Sequence, residues 1–341
     1  MLIRHLPQYE TVASRRALLR GIVSSASVLA LGGCASLGAT GARYDASSLS
    51  VEPTLIVATT RKPVNGGRAK PWFGPERATR MTVAKAKLVA PDDSRFSLAA
   101  AGLGDWRLDA VEPVAAEVGD LLGQAGSGGS DVLIYVHGFK QTFETAALDA
   151  AHLADGIKFR GQTMVFSWPS KAGFFDYAYD RESAMWSRDE FERVLNSVAT
   201  SPGVGRMHIV AHSMGTMLTL ESLRQLYARS GDSVADRIGA VVFASPDIDM
   251  DVFSSAVVRI GPVGRKITVV AATNDRALAL SGRLAGGMTR VGAAEKAAIE
   301  RLGVRVIDAS DSGWGVINHD LFLSNAEVRR VIRRSIDTSA A

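Results

Sequence analysis

The most constraining feature of this chain is the segment 211–215, with the sequence AHSMG. It follows an apolar run at 207–210 and precedes an amphipathic stretch at 216–226, so Ser213 is predicted to lie where a strand turns sharply into a helix. A turn of this kind needs small flanking residues, because a larger side chain would collide with the neighbouring strand and helix. Ala211 and Gly215 meet that need. The pattern therefore predicts a serine presented as a nucleophile.

A serine hydroxyl is nearly inert at neutral pH, so the site also needs a general base, an acid that orients it, and oxyanion donors. Four of the six histidines are excluded by position. They are His5 in the leader, His152 in a predicted helix, His208 in the strand before the turn, and His212 beside the serine. His137 precedes Gly138 after an apolar strand, where the oxyanion loop is expected, and we interpret it as structural. His319 is the predicted base, and the alternative is a loop histidine that caps the following helix.

The orienting acid is expected at a strand end between the serine and the histidine, because the chain order in this kind of site is Ser, then Asp or Glu, then His. Asp247 and Asp275 each follow a predicted strand. We prefer Asp275, and Asp247 is the alternative acid. Asp247 could instead cap a helix that begins near Met250, and Asp275 could also cap a helix at 276–284.

The oxyanion donors are expected to be two backbone N–H groups, one after the nucleophile and one in the loop after the early strand. We assign them to Met214 and Phe139. Both donate through the main chain, so only the flexibility of Gly138 is visible in the sequence.

Apolar strand-like runs alternate with helical patterns, which predicts an α/β fold with a mostly parallel sheet of eight strands and helices on both faces. The strand candidates are 54–60, 81–89, 131–136, 162–167, 207–210, 238–244, 266–272 and 304–308, and the helix candidates are 143–158, 182–198, 216–228 and 325–335. The Gly- and Ser-rich segment 123–130 is interpreted as a flexible loop.

Several segments of the chain resemble a bacterial α/β-hydrolase family of unknown function that is described as esterase- or lipase-like. They are LIVATTR (55–61), YVHGF (135–139), FSWPS (166–170), YDRES (179–183), AHSMG (211–215), SPDID (245–249) and NDRAL (274–278). The resemblance implies an α/β-hydrolase fold over residues 53–337, a serine hydrolase, and no cofactor. The one departure is Phe139, at a position that often looks tyrosine-like in this family, and it leaves the main-chain donor intact.

The first 33 residues predict an exported protein. The segment 14–20, SRRALLR, resembles a twin-arginine signal, and an apolar stretch follows it and ends in Leu31-Gly-Gly-Cys34. This ending resembles a lipobox, so we expect residues 1–33 to be a signal peptide and Cys34 to be lipidated. Residues 34–52, rich in Ala, Ser and Gly, are interpreted as a flexible tether. The alternative is an uncleaved anchor.

The charge of the chain gives no reason to expect a polyanion partner. Without the leader's four arginines and its single Glu10, 35 basic and 34 acidic residues remain, a net charge of +1. We therefore expect no nucleic-acid partner. The sequence contains no HExxH motif and no cysteine pair, so we expect no metal site.

Aromatic residues cluster in the segment that follows the strand at 162–167. The segment 168–179, which includes Trp168, Phe175 and Tyr177, either forms a wall of the substrate pocket or packs under a surface loop, with Asp180 and Arg181 as a local ion pair. Together these features predict a lipid-anchored serine hydrolase of the cell envelope, facing the periplasm and acting on small or lipid carboxylic esters. The alternative is a non-catalytic envelope lipoprotein that uses the same fold for binding.

Overall fold

Strands and helices alternate along the chain in the computed structural model, which describes residues 54–89, 106–125, 129–284, 286–310 and 321–339. The strands are β1 (Thr54–Pro63), β2 (Phe73–Val89), β3 (Arg107–Val114), β4 (Ser130–Val136), β5 (Gln162–Ser167), β6 (Val204–His212), β7 (Ile238–Ala244), β8 (Ile267–Ala271) and β9 (Arg305–Asp308). This alternation is the one expected for a parallel sheet with helical crossovers.

The helices cover both faces of the sheet. They are α1 (Val118–Ala125), α2 (Phe143–Gly156), α3 (Tyr177–Trp186), α4 (Arg188–Thr200), α5 (Met214–Ser230), α6 (Asp232–Ala235), α7 (Met250–Arg259), α8 (Arg276–Leu284), α9 (Lys296–Glu300), α10 (Leu321–Ser324) and α11 (Ala326–Ser339). Short 3-10 turns lie at Asn65–Gly67, Phe174–Asp176, Gly261–Lys266 and Val291–Ala293.

The strands described form one sheet in the order β3-β2-β1-β5-β4-β6-β7-β8-β9. The two pairs β1–β2 and β2–β3 are antiparallel, and every other neighbouring pair is parallel. The carboxyl ends of β1 and of β4 through β9 therefore meet at one edge of the sheet, which is where α/β proteins bind their ligands.

The central strands are apolar runs because both of their faces are buried. Along β4, Val132, Ile134 and Val136 pack into one core layer, and Leu133 and Tyr135 pack into the other. Helices α4, α5 and α7 contribute to the first layer, and α2 and α11 contribute to the second. The period of two along the strand thus places the sheet between two layers of helices.

The predicted α/β-hydrolase fold is confirmed, with three differences of detail. The sheet has the additional strand β3, whose apolar residues are interrupted by Asp109 and Glu112. The predicted helix at 182–198 is two helices separated by the buried Ser187, whose hydroxyl bonds to the Ser183 carbonyl at 2.8 Å. The predicted loop at 123–130 is also partly wrong. Helix α1 continues to Ala125 because Val118, Leu121 and Leu122 are buried in the core.

The predicted signal peptide and tether at 1–52, with Cys34, lie outside the described residues, as does His319. Within the part of the chain that the structure describes, no helix combines the length and the apolar character needed to span a membrane.

Candidate active site

The polar residues predicted to act together follow neighbouring parallel strands at the carboxyl edge of the sheet. Gly138 and Phe139 follow β4, Ser213 follows β6, Asp247 follows β7, and Asp275 follows β8. The topology therefore brings these segments to the same edge of the sheet.

Ser213 occupies a strained backbone conformation between β6 and α5. Its φ is 49° and its ψ is −120°, in a region that L-residues rarely adopt. Hydrogen bonds from the Ser213 N–H to the Ala244 carbonyl (2.9 Å) and from the Thr216 N–H to the Ser213 carbonyl (3.1 Å) hold the turn. Strain of this kind costs about 1–3 kcal/mol and persists only where the surrounding structure imposes it.

Two glycines make room for this turn. A Cβ added at Gly215 would overlap the carbonyl oxygen of His137, so no larger residue fits there. A Cβ added at Gly138 would lie 2.9 Å from the Ser213 Cβ and 2.9 Å from the His212 Nδ1. The loop after β4 and the turn after β6 are therefore packed backbone against backbone, as the AHSMG pattern requires at 215.

The predicted oxyanion donors lie on these two segments. Phe139 is the residue after Gly138, and Met214 is the first residue of α5, where a helix leaves its N–H groups without intrahelical partners. Among the described residues, neither N–H donates a hydrogen bond. The Phe139 ring packs edge-on against Tyr177 at a centroid distance of 5.5 Å.

His137 is fully buried and occupied by structural contacts. Its Nε2 accepts the backbone N–H of Trp168 at 3.1 Å, so Nδ1 carries the proton and donates to the Gly138 carbonyl at 2.8 Å. Its ring stacks on the Trp168 indole at 4.6 Å. Burial, followed by the nearby Arg61 charge, holds the pKa of His137 well below its ordinary value. A neutral ring held in this way fits the predicted structural role.

Asp275 follows β8 and is 1% exposed. Its Oδ1 accepts the backbone N–H groups of Ala277 (2.9 Å) and Leu278 (3.1 Å). The carboxylate thus caps α8, as one of the sequence interpretations proposed, and the two N–H donors fix its orientation at the carboxyl edge of the sheet.

Asp247 does not cap a helix, so that interpretation was wrong. Asp249 caps α7 instead, accepting the N–H groups of Asp251 (3.0 Å) and Val252 (3.1 Å). Asp247 lies two residues before this cap, and its side chain is buried inside the protein, at 3% exposure.

Inside the protein, Asp247 is the centre of a polar cluster. Its Oδ1 accepts the Ser281 hydroxyl at 2.5 Å and lies 3.0 Å from the Arg290 Nε, and its Oδ2 accepts the Tyr177 hydroxyl at 2.9 Å. Both carboxylate oxygens are therefore occupied by internal donors.

The family match decides the assignment of the chain. Residues 120–335 match the model of a family described as "Alpha/beta hydrolase of unknown function (DUF900)". The chain belongs to this family. No curated protein sequence matches this hydrolase significantly.

Among solved structures, Est1E from Butyrivibrio proteoclasticus is 10% identical (TM-score 0.42) and covers 76% of this chain and 95% of its own. EstE1, a thermophilic carboxylesterase from a metagenomic library, is 14% identical (TM-score 0.40) and covers 88% of this chain and 94% of its own. A protein described as a CIB-like hydrolase from Thermoplasma acidophilum is 14% identical (TM-score 0.35), with coverages of 75% and 92%. At these scores the likenesses carry no argument about activity.

The aromatic segment of this hydrolase divides between the two predicted roles. Trp168 is fully buried beneath His137, which fits packing. Tyr177 contacts Phe139 and Asp247 and is half-buried at the edge of the site. Phe175, by contrast, is 96% exposed.

The predicted ion pair between Asp180 and Arg181 is absent from the described contacts. Asp180 instead accepts the hydroxyl of Ser170 and the backbone N–H of Lys171 (2.9 Å). Its side chain is buried, and it turns towards the loop after β5 rather than along its own helix.

Arg61 and Arg290, for which the sequence predicted no role, are both buried beside the site. Arg61 belongs to one of the segments that carry the family resemblance, the LIVATTR run. The available signal was a single arginine at the end of an apolar strand. A charged residue at such a position is rarely buried unless it has partners. No comparable signal marks Arg290 in the sequence.

Proposed function

We propose that this protein is a serine hydrolase that cleaves carboxylic esters through an acyl-enzyme intermediate. The observation that carries the proposal is the positive φ of Ser213 at a strand-to-helix turn, with Gly138 packed against it. Backbone strain of this kind clusters at active sites, and this turn is the one that presents nucleophilic serines in α/β-hydrolases.

In the proposed reaction, the Ser213 Oγ attacks the ester carbonyl while His319 accepts the hydroxyl proton. The N–H groups of Phe139 and Met214 bind the oxyanion that forms. The tetrahedral intermediate then expels the alcohol, which receives the proton from His319. A water molecule then attacks the acyl-enzyme carbonyl in the same way, which releases the carboxylic acid and restores the serine.

We assign the orienting role to Asp275. It follows β8 on the carboxyl edge of the sheet, and backbone N–H groups hold its carboxylate. The two oxygens of Asp247 are already engaged by Ser281, Arg290 and Tyr177, which leaves less capacity for an imidazole N–H. This engagement of Asp247, together with the place of Asp275 directly after β8, is the support for the choice.

We further propose that Cys34 is lipidated after removal of residues 1–33, and that residues 34–52 tether the hydrolase to a membrane of the cell envelope on its periplasmic side. The support is the position of the only cysteine at the end of an apolar leader. Small or lipid esters are the proposed substrates.

Turnover of p-nitrophenyl esters of graded acyl length tests the activity. Ser213→Ala should lower kcat by about 10⁶-fold, as it does for other triads, with the fold intact. Ser222→Ala is a matched control, because Ser222 is a buried serine of α5 and its hydroxyl bonds, among the described residues, to the Leu218 (2.9 Å) and Arg188 (3.0 Å) carbonyls. Turnover that survives in a folded Ser213→Ala protein would contradict the proposal. A wild-type protein that hydrolyses none of the esters would favour the binding alternative.

A further inference from the structure

Arg61 is a buried cation whose hydrogen-bond partners among the described residues are all neutral. It lies near the carboxyl end of β1 and is 1% exposed. Its Nε donates to the Ser167 hydroxyl (2.9 Å), its Nη1 to the carbonyls of Ser170 (3.1 Å) and Gly74 (3.4 Å), and its Nη2 to the carbonyl of Gln141 (2.7 Å). Buried charges are usually paired with an opposite charge, but no described carboxylate forms an ion pair with this guanidinium.

Two of the acceptors of Arg61, Gln141 and Ser170, lie on the two loops that flank the candidate site. Gln141 belongs to the loop 137–142 after β4, which contains Phe139, and Ser170 belongs to the loop after β5. The Gln141 N–H donates to the Ser170 hydroxyl at 3.2 Å, so the two loops are also joined directly. The rigid, planar guanidinium of Arg61 therefore bonds to both loops at once.

These contacts constrain the oxyanion loop at both of its ends. His137 is held by the backbone N–H and the indole N–H of Trp168, at 3.1 and 2.9 Å. Gln141 is held by Arg61. Between them, Lys140 has a φ of 64°, a conformation that a lysine keeps only where its surroundings impose it. The direction of the Phe139 N–H thus depends on the contacts of its neighbours His137 and Gln141.

The guanidinium remains charged at neutral pH. Burial lowers the pKa of Arg61 from its ordinary value to about 9, and the Asp180 charge acts in the opposite direction. A charged donor makes shorter and stronger hydrogen bonds to carbonyl oxygens than a neutral one does.

We propose that Arg61 is a positioning residue for the reaction, which fixes the Phe139 N–H towards the oxyanion by tying the loop after β4 to the loop after β5. The inference rests on the proposed ester hydrolysis. A misplacement of about 1 Å at an active site can cost about 10²-fold in rate, so loss of this tie should act on kcat rather than on substrate binding.

The test compares Arg61→Lys with Arg237→Lys. Arg237 is a matched control, because it also donates to three backbone carbonyls, those of Ala199, Ser201 and Val204, and it lies just before β7, at the opposite edge of the sheet from Ser213. A lysine keeps the charge in both proteins but loses the fork of donors.

We expect Arg61→Lys to lower kcat for p-nitrophenyl acetate by about 10–10²-fold with KM changed by less than about threefold. Amide hydrogen exchange of residues 137–141 should accelerate in the same protein. Arg237→Lys should change neither quantity. If Arg61→Lys does not fold, Ser167→Ala removes the acceptor of the Arg61 Nε and should produce the same changes to a smaller degree.

An unchanged kcat in folded Arg61→Lys would overturn the proposal. Amide hydrogen exchange of residues 137–141 at the same rate in Arg61→Lys and Arg237→Lys would also overturn it. The failure of the proposed function is a separate result, because a wild-type protein without turnover would refute ester hydrolysis. The exchange data would then still show whether Arg61 holds the loop.

Discussion

Gly138 faces Ser213 so closely that a single added methyl group would not fit between them. The added Cβ would lie 2.9 Å from the Ser213 Cβ, a separation that real Cβ atoms essentially never show. The contact joins the loop that carries one proposed oxyanion donor to the proposed nucleophile. The proposed nucleophile and the loop with the proposed donor can therefore lie this close only because residue 138 has no side chain.

Gly138→Ala should lower kcat for p-nitrophenyl esters by about 10²-fold or more. The methyl group must displace the Ser213 turn or the 137–142 loop, and either shift moves the nucleophile relative to the oxyanion donors. Steady-state kinetics on the folded variant is the measurement.

Gly123→Ala is the control for this substitution. Gly123 lies in α1. A Cβ added there would lie 3.0 Å from the Ser201 hydroxyl oxygen and 3.7 Å from the next atom, the Gly203 Cα. That variant should keep wild-type kinetics. Equal kinetics in Gly138→Ala and Gly123→Ala would show that the close contact has no catalytic importance.

The two candidate acids should separate into a kinetic and a structural role. Asp275→Asn should lower kcat by about 10⁴-fold, because an amide neither stabilises the correct histidine tautomer nor balances the imidazolium charge. Asp247→Asn should instead lower the free energy of unfolding by about 3 kcal/mol, since it leaves the buried Arg290 without its counter-charge.

Kinetics and urea unfolding on both variants make this comparison. Asp275→Asn should keep most of its stability, and Asp247→Asn should keep most of its kcat once folded. The larger kinetic loss in Asp247→Asn would reverse the assignment of the acid.

The features that sequence patterns predicted were local ones. The apolar run, the small residues at 211 and 215 and the following amphipathic stretch lie within about twenty residues, and the structure places the turn at Ser213 with α5 beginning at Met214. The positions of the central strands along the chain followed in the same way, because strands buried on both faces give continuous apolar runs. The role of Ser213 remains a prediction.

The features that escaped prediction depend on contacts between distant segments. Arg61 meets Ser167 and Gln141, which are 106 and 80 residues away in sequence, and no local pattern encodes such contacts. A helix cap was one of the two interpretations of Asp247 because Asp is common at caps, yet Asp249 takes that position. The edge strand β3 was missed because charged residues interrupt its apolar pattern.

The stability of the fold should fall on mild acidification. Burial is the main cause that lowers the pKa of both His137 and His208. Below the ordinary histidine pKa, the unfolded chain binds protons that the folded chain excludes, so the free energy of unfolding decreases as pH falls. Both histidines should therefore contribute to the loss of stability between about pH 7.0 and 5.5, around and below the ordinary histidine pKa.

Urea unfolding across this range measures the effect. The window stops near pH 5.5 because burial raises the pKa of Asp180, and its protonation at lower pH acts in the opposite direction. In His208→Gln the pH-dependent loss should be smaller than that of the wild type, whatever its absolute stability. A free energy of unfolding that stays constant over the window would contradict the lowered pKa values.

Cys34→Ser should abolish acylation of the protein. Each buried CH₂ of an acyl chain contributes about 0.8 kcal/mol to membrane binding, so the variant should lose its attachment or remain unprocessed. Metabolic labelling with a palmitate analogue, followed by membrane fractionation, is the measurement. Label that persists in Cys34→Ser would show that the lipid is attached elsewhere.

The most direct test of the central claim is reaction with a fluorophosphonate probe, followed by mass spectrometry of the peptides. Only an activated serine reacts with such a probe, because its phosphorus mimics the attacked carbonyl and its oxygen requires oxyanion donors. We predict one phosphonyl adduct on the peptide that contains Ser213, and none in Ser213→Ala. An unlabelled wild-type protein, or an adduct on another residue, would contradict the account.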